Sequence, residues 1–222
     1  MRRFLAGLIA AMALAVGDPA QAAITFERFI EDDGFKILLL KGEFEADETV
    51  DRLEDEVSDF GPDAIMFDSP GGIISTALEY GRKIRDLEMD TLQVRAHLCV
   101  SACAFAFAGG VNRSAEAGSI GVHQSWFPED VSASDAVAGI QEITADVMGY
   151  LTEMDVDVRL LQLSMSTASG DMRFLTVQEM VDLGMVTTEV AAAEEAESEA
   201  YDGEVDARED RLPRRRKMKP AG

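Results

Sequence analysis

Cysteine, histidine and tryptophan are all scarce in this chain, which holds two, two and one of them in 222 residues. So few cysteines exclude a disulfide-dense scaffold, in which several bridges replace a core. Cys99 and Cys103, spaced C-x3-C with one histidine nearby, fall short of the four ligands of a structural zinc site, so no metal and no cofactor is expected. Basic residues are also short in supply, 20 against 42 acidic ones, for a formal charge of −22. Nucleic acid and anionic membrane surfaces would be repelled by such a chain and are excluded as partners; a solvated acidic surface accounts for most of the charge. A long hydrophobic run is missing as well. The longest, Phe4 to Val16, is too short for a comfortable span of about 20 residues.

That run instead has the order of an export signal. Arg2 and Arg3 precede it, and Gly17-Asp18-Pro19 and Ala20-Gln21-Ala22 follow, which reads as a charged region, an apolar region and a small-residue cleavage site. Residues 1–22 are therefore expected to be a signal peptide and the protein periplasmic, with membrane anchorage as the lesser alternative. Residues 23–190 are long enough for one sizeable core and cramped for two. Residues 191–222 pass from an acidic, alanine-rich stretch to a basic block (Arg211 to Lys219) without apolar periodicity, and are read as a charged, disordered tail.

Between these ends the pattern alternates. Two apolar segments in 24–44 flank Asp33-Gly34, a dipeptide that closes hairpins. Val50, Leu53, Val57 and Phe60 follow helical spacing behind Asp47 as the expected cap, and Gly61-Pro62 ends that helix. Ala64 to Phe67 reads as a buried strand leading into Asp68-Ser69-Pro70-Gly71-Gly72, where glycines permit close backbone approach. A helix with Ile74, Ala77, Tyr80, Gly81, Ile84 and Leu87 on one face follows, then a strand from Thr91 to Ala96. Alternation of this kind predicts parallel βα units. Beyond it, Ser132 and Asp135 mark an N-cap, and Val137, Ile140, Ile143, Val147 and Leu151 recur at helical steps. A shorter helix lies within Met154 to Met165, and a last one over Val177 to Leu183 stops at Gly184. Met148, Met154, Met165 and Met180 are expected to fill gaps in the core.

The chemistry centres on residues 99–123. Ser101, among small residues, opens the apolar run Ala102 to Ala108 that ends in Gly109-Gly110, which reads as a strand-to-helix turn with a hydroxyl at its apex. His123 follows in the strand-like segment SIGVHQSW. Serine needs a neighbouring imidazole to take its proton, so the two form half an active site. Cys99 and Cys103 bracket Ser101. They could close a disulfide that clamps the turn, if their Cα atoms approach to about 5.5–6 Å, or pack as two small buried thiols. His97 is expected to be structural, and Trp126 and Phe127 could line a groove or serve packing.

Four segments, SPGG (69–72), VSACAFAFAGG (100–110), GVHQ (121–124) and RFLTVQEMVDLGMV (173–186), resemble in order and spacing the Clp protease proteolytic subunit, ClpP, and its relatives in the ClpP/crotonase superfamily. The export signal and flanking cysteines make the chain similar to periplasmic ClpP-like proteins. The resemblance covers about residues 35–188 and implies an α/β fold: a spiral of βα units with a C-terminal helical extension. It implies Ser101 as nucleophile, His123 as general base, and the N–H groups of Gly72 and Ala102 as the oxyanion hole. The position of the family's acid holds Met172, so Asp171, one residue earlier, becomes the candidate third member, with Asp68, Asp130 and Asp135 as substitutes. The function implied is that of a serine peptidase acting on a peptide or polypeptide, with self-association into a homo-oligomer and no recognisable docking site for an ATP-driven unfoldase. A catalytically impaired peptide-binding or assembly module is the alternative, followed by acyl-thioester chemistry.

Overall fold

The computed structural model describes residues 24–126 and 131–187; the expected signal peptide, the charged tail, Phe127 and Asp130 lie outside them. Eight strands and six helices are described among these residues. The first two, β1 (Thr25–Ile30) and β2 (Lys36–Lys41), pair antiparallel. The hairpin closes where Asp33-Gly34 predicts, with Gly34 at φ +92° and its N–H donating to Glu31 O.

Helix α1 (Asp51–Phe60) begins three residues later than expected, with Val50 instead of Asp47 in the cap position. Glu48 explains the delay. Its carboxylate accepts from the Ile24 N–H at 2.9 Å and from the Tyr80 hydroxyl at 3.2 Å, which holds the preceding turn against the core. Gly61, in the left-handed region, ends the helix as expected. Strand β3 (Ala64–Asp68), helix α2 (Ile74–Asp86) and strand β4 (Asp90–Gln93) follow. β4 is shorter than predicted, because the chain turns at 94–97 and crosses into a second sheet as β5 (Cys99–Val100).

Helix α3 (Cys103–Ala108) and the strands β6 (Arg113–Ala115) and β7 (Ile120–Val122) come next, then helix α4 (Ala133–Glu153), capped by the Ser132 hydroxyl accepting from the Asp135 N–H. The chain continues through α5 (Arg159–Ser166), β8 (Arg173–Phe174) and α6 (Val177–Asp182). Two sheets result, one in the order β1-β2-β3-β4-β6 and one in the order β5-β7-β8. In the first sheet β2, β3, β4 and β6 are parallel. The fold is thus α/β, strand–helix units followed by a helical extension, as predicted.

Period-two alternation divides the first sheet into two faces. Leu38, Leu40, Ile65 and Phe67 enter the main core with the helices, whereas Ile37, Leu39 and Met66 form a small cluster on the other face. Helices α2 and α3 cross closely at Gly81 and Gly109, and the buried Tyr150 of α4 donates to Phe105 O at 2.7 Å. Buried Arg113 donates to the carbonyls of Gly110 and Gly184, and burial, more than the neighbouring Arg85, pushes its pKa down to about 10. Of the methionines expected in the core, Met154 and Met180 are there, but Met148 and Met165 are about half exposed, at 46% and 50%. Methionine fills outward helix positions as readily as inner ones, so composition alone misplaces them.

Burial raises the Tyr150 pKa above the ordinary phenol value, because the phenolate would lose its hydration. The fold therefore favours the protonated form, so Tyr150 contributes stability below about pH 10 that is lost as pH rises beyond it. Tyr150→Phe is expected to flatten the fall in stability above pH 10 while costing about 1 kcal/mol at neutral pH for the lost hydrogen bond. Urea unfolding midpoints of both proteins between pH 7 and 11 check this. An equal alkaline slope in the two would contradict it.

Candidate active site

The end of β3 is stitched to the start of β5. Ser69 and Cys99 form a parallel bridge, the Ser69 N–H donates to Leu98 O and the Val100 N–H to Ser69 O. Beyond Ser69 the chain must pass close to the serine turn. At Gly71 (φ +108°) a Cβ would lie 2.7 Å from the Ser101 Cβ, and at Gly72 (φ +129°) one would lie 2.5 Å from Phe44 O. Both positions therefore demand glycine twice over, for conformation and for space.

Ser101 itself has φ +59°, a left-handed conformation that costs a non-glycine residue of order 1 kcal/mol or more and persists only where the surroundings hold it. Three restraints hold it here. Its N–H donates to Gly121 O at 2.9 Å, helix α3 begins two residues later, and Cys99 and Cys103 are joined by a disulfide with Cα atoms 5.3 Å apart. Of the two readings the cysteine spacing left open, the structure has the covalent one.

His123 follows directly on β7. The parallel register Val100↔Gly121 carries Ser101 and His123 out of the sheet at the same end. The His123 carbonyl accepts from the buried Ser164 hydroxyl at 2.6 Å, and the Gln124 N–H donates to Thr167 O, so α5 fixes the histidine backbone. Ser101 and His123 share the walls of three adjoining cavities of about 170, 280 and 430 Å³. The smallest is mainly apolar, with Ile74, Phe105, Val147 and Leu161 in its wall. Trp126 lines the two larger ones. Among the described residues the backbone N–H groups of Gly72 and Ala102 donate to no protein acceptor.

Asp171 is not brought to the histidine. The buried Nδ1 of His123 has no hydrogen-bond partner among the described residues, and Asp171 is exposed. β8 runs antiparallel to β7 with Gly121↔Phe174 and Val122↔Arg173, and the ladder stops there, so Asp171 lies two residues outside it, in a turn. The Asp171 N–H closes a turn onto Ala168 O, while the Met172 thioether packs over Gly121. Two of the substitutes are engaged elsewhere: Asp68 with Leu98 N, His97 and Lys41, and the Asp135 carboxylate with the Ser132 hydroxyl at the α4 cap. The His97 ring lies 3.6 Å from the Asp68 carboxylate, and its backbone carbonyl accepts from the buried Gln93 amide, which also pairs with the Phe67 backbone.

Sequence reasoning passed over several residues of the site. Ile143 and Val147 were legible as apolar positions of α4, yet they face the cleft. Ser164 carries no motif. Glu43 and Glu45 were indistinguishable from other surface acids, and both line the largest of the three cavities.

The fold and site together define an α/β protein with a serine-centred cleft, a strained serine turn and unoccupied backbone donors. No family model and no curated protein matches the chain. Among solved structures, the 1510-N membrane-bound stomatin-specific protease, solved as a serine-to-alanine mutant, aligns with a TM-score of 0.46 and 14% identity over 67% of this chain and 75% of that chain.

Proposed function

We propose that this chain is a ClpP-like serine hydrolase that cleaves peptides. The observation that carries the reading is Ser101, held at φ +59° in a cleft it shares with His123, beside the unoccupied N–H groups of Gly72 and Ala102. A hydroxyl on a strained turn is presented to the cleft, and donors already in place stabilise an oxyanion without reorganisation. His123 accepts the Ser101 proton as Oγ bonds to the substrate carbonyl carbon, and the negative oxygen is held by the two N–H groups. The C–N bond then breaks, the departing amine takes the proton from His123, and water releases the acyl group by the same steps. Nδ1 is enclosed, which leaves Nε2 to serve the serine. The apolar lobe of the cleft suits an apolar substrate side chain.

The same reading takes the protein to be exported through residues 1–22 to the periplasm, an oxidising compartment in which the Cys99–Cys103 bridge persists, and to self-associate. Among the described residues no helix is long and apolar enough to cross a membrane. The unpartnered Nδ1 of His123 favours a second reading, a peptide-binding module with a poorly oriented base.

Labelling with a fluorophosphonate decides between them. The expected result is a single adduct mapped to Ser101 by peptide mass analysis, lost in His123→Ala and weakened by reductant, which frees the serine turn. A folded protein that takes no label would remove the hydrolase reading and leave the binding module.

A further inference from the structure

The largest of the three cavities that Ser101 and His123 share has two carboxylates in its wall. Phe44 is fully buried and bridges Gly72, its N–H donating to Gly71 O and its carbonyl accepting from the Ile73 N–H. In an extended segment the neighbours of an inward residue point outward, and Glu43 and Glu45 line the cavity that also holds Ser101, His123 and Trp126. Asp146 lines the adjoining one. No lysine or arginine lines any of the three cavities. Among the described residues neither Glu43 nor Glu45 has a side-chain hydrogen bond or ion pair, and Glu45 Oε1 is shielded from solvent without a donor. A carboxylate oxygen removed from water without a donor is costly, and a ligand that brings a charged donor relieves that cost.

We infer that Glu43 and Glu45 form a subsite for a cationic side chain, lysine or arginine, of the peptide, adjacent to the residue that enters the apolar lobe. The inference deepens the peptide-hydrolase reading and rests on its account of the cleft. The Phe44 segment runs beside Gly71–Ile73, so a peptide whose carbonyl oxygen meets the Gly72 and Ala102 N–H groups passes along it. The substrate class is then a peptide with an apolar residue next to a basic one. The chain's overall charge of −22 attracts any cation, but that attraction is screened beyond about 8 Å at 0.15 M salt, whereas a pair in a partly enclosed cavity is screened far less.

The test uses the full chain carrying Ser101→Ala, with the fluorescence of Trp126, the only tryptophan, as the reporter of binding. The probes are peptides with one central phenylalanine and lysine, glutamine or glutamate placed in turn on either side, titrated at about 0.15 M salt. On one side the lysine peptide is expected to bind about tenfold tighter than the glutamine peptide, a factor in the range of a partly desolvated ion pair, with the glutamate peptide weakest. Glu45→Gln in the same background is expected to bring lysine to within about twofold of glutamine, and Glu43→Gln to have a smaller effect of the same sign. Asp32→Asn, an equal charge change at the exposed hairpin tip outside all three cavities, should leave the preference intact.

Equal binding of the lysine and glutamine peptides, no binding of either, retention of the preference in both glutamate variants, or its loss in Asp32→Asn would overturn the subsite. Hydrolysis of the same peptides by the unmodified chain is read separately. Glutamate-dependent binding without cleavage removes the hydrolase and keeps the subsite, and cleavage without charge preference does the reverse.

Discussion

Ser101→Ala is expected to abolish fluorophosphonate labelling and to lower peptide hydrolysis by as much as roughly 10⁶, the scale on which removing a working nucleophile acts. Folding should be untouched. The Ser101 side chain makes no hydrogen bond within the described residues, so nothing is left unsatisfied when it goes. Alanine meets the same left-handed φ at a similar cost, and the disulfide and the Ser101 N–H bond to Gly121 O are independent of the side chain. The unfolding free energies of the two proteins, measured in urea, should therefore agree within about 0.5 kcal/mol. The residual rate is informative. A variant that keeps 10³–10⁴-fold catalysis over water would draw it from the backbone donors and from binding alone. Hydrolysis that survives at the level of the unmodified protein would mean that Ser101 is not the nucleophile.

Gly109→Ala is expected to have the largest effect on folding. A Cβ there would lie 2.2 Å from the Gly81 carbonyl oxygen and 2.6 Å from both its carbonyl carbon and Cα. These are backbone atoms of α2, which cannot rotate away, so the two helices must separate. Gly109 has φ −66°, a conformation alanine adopts freely, and the whole penalty is therefore steric. Overpacking typically costs 1–3 kcal/mol where side chains yield; against backbone we expect about 3 kcal/mol or more, a large part of a domain's usual 5–15 kcal/mol. Gly149→Ala is the matched control. It lies exposed within α4 with nothing near its added Cβ, and should stabilise by roughly 0.5–1 kcal/mol through helix propensity. Thermal unfolding of both variants checks the pair, and a Gly109→Ala protein as stable as the parent would refute the close crossing of α2 and α3.

The two glycines also show where local reading stops. Gly109 and Gly149 are alike in any inspection of composition, and only the crossing of α2 over α3 separates an obligatory glycine from a replaceable one. The carboxylate question has the same form. Asp171 stands one residue from the position the resemblance implies for an acid; its N–H closes a turn onto Ala168 O, which leaves it exposed and outside the pairing of β7 with β8.

What the sequence by itself determined are the features whose physics is local. The hairpin follows from Asp33-Gly34, the α4 start from Ser132 and Asp135, the stop of α1 from Gly61, and the parallel core from short apolar runs between helical repeats. The serine and histidine were legible because both stand in short, unusual contexts. Only the tertiary structure decided that Cys99 and Cys103 meet, that Glu48 delays α1 by binding Tyr80 and Ile24, that Met172 packs over Gly121, and that two unremarkable glutamates line the cavity that holds Ser101 and His123. Each of those depends on residues distant in the chain being brought into contact, and pairwise burial, register and charge across such distances leave no periodicity for a sequence to display.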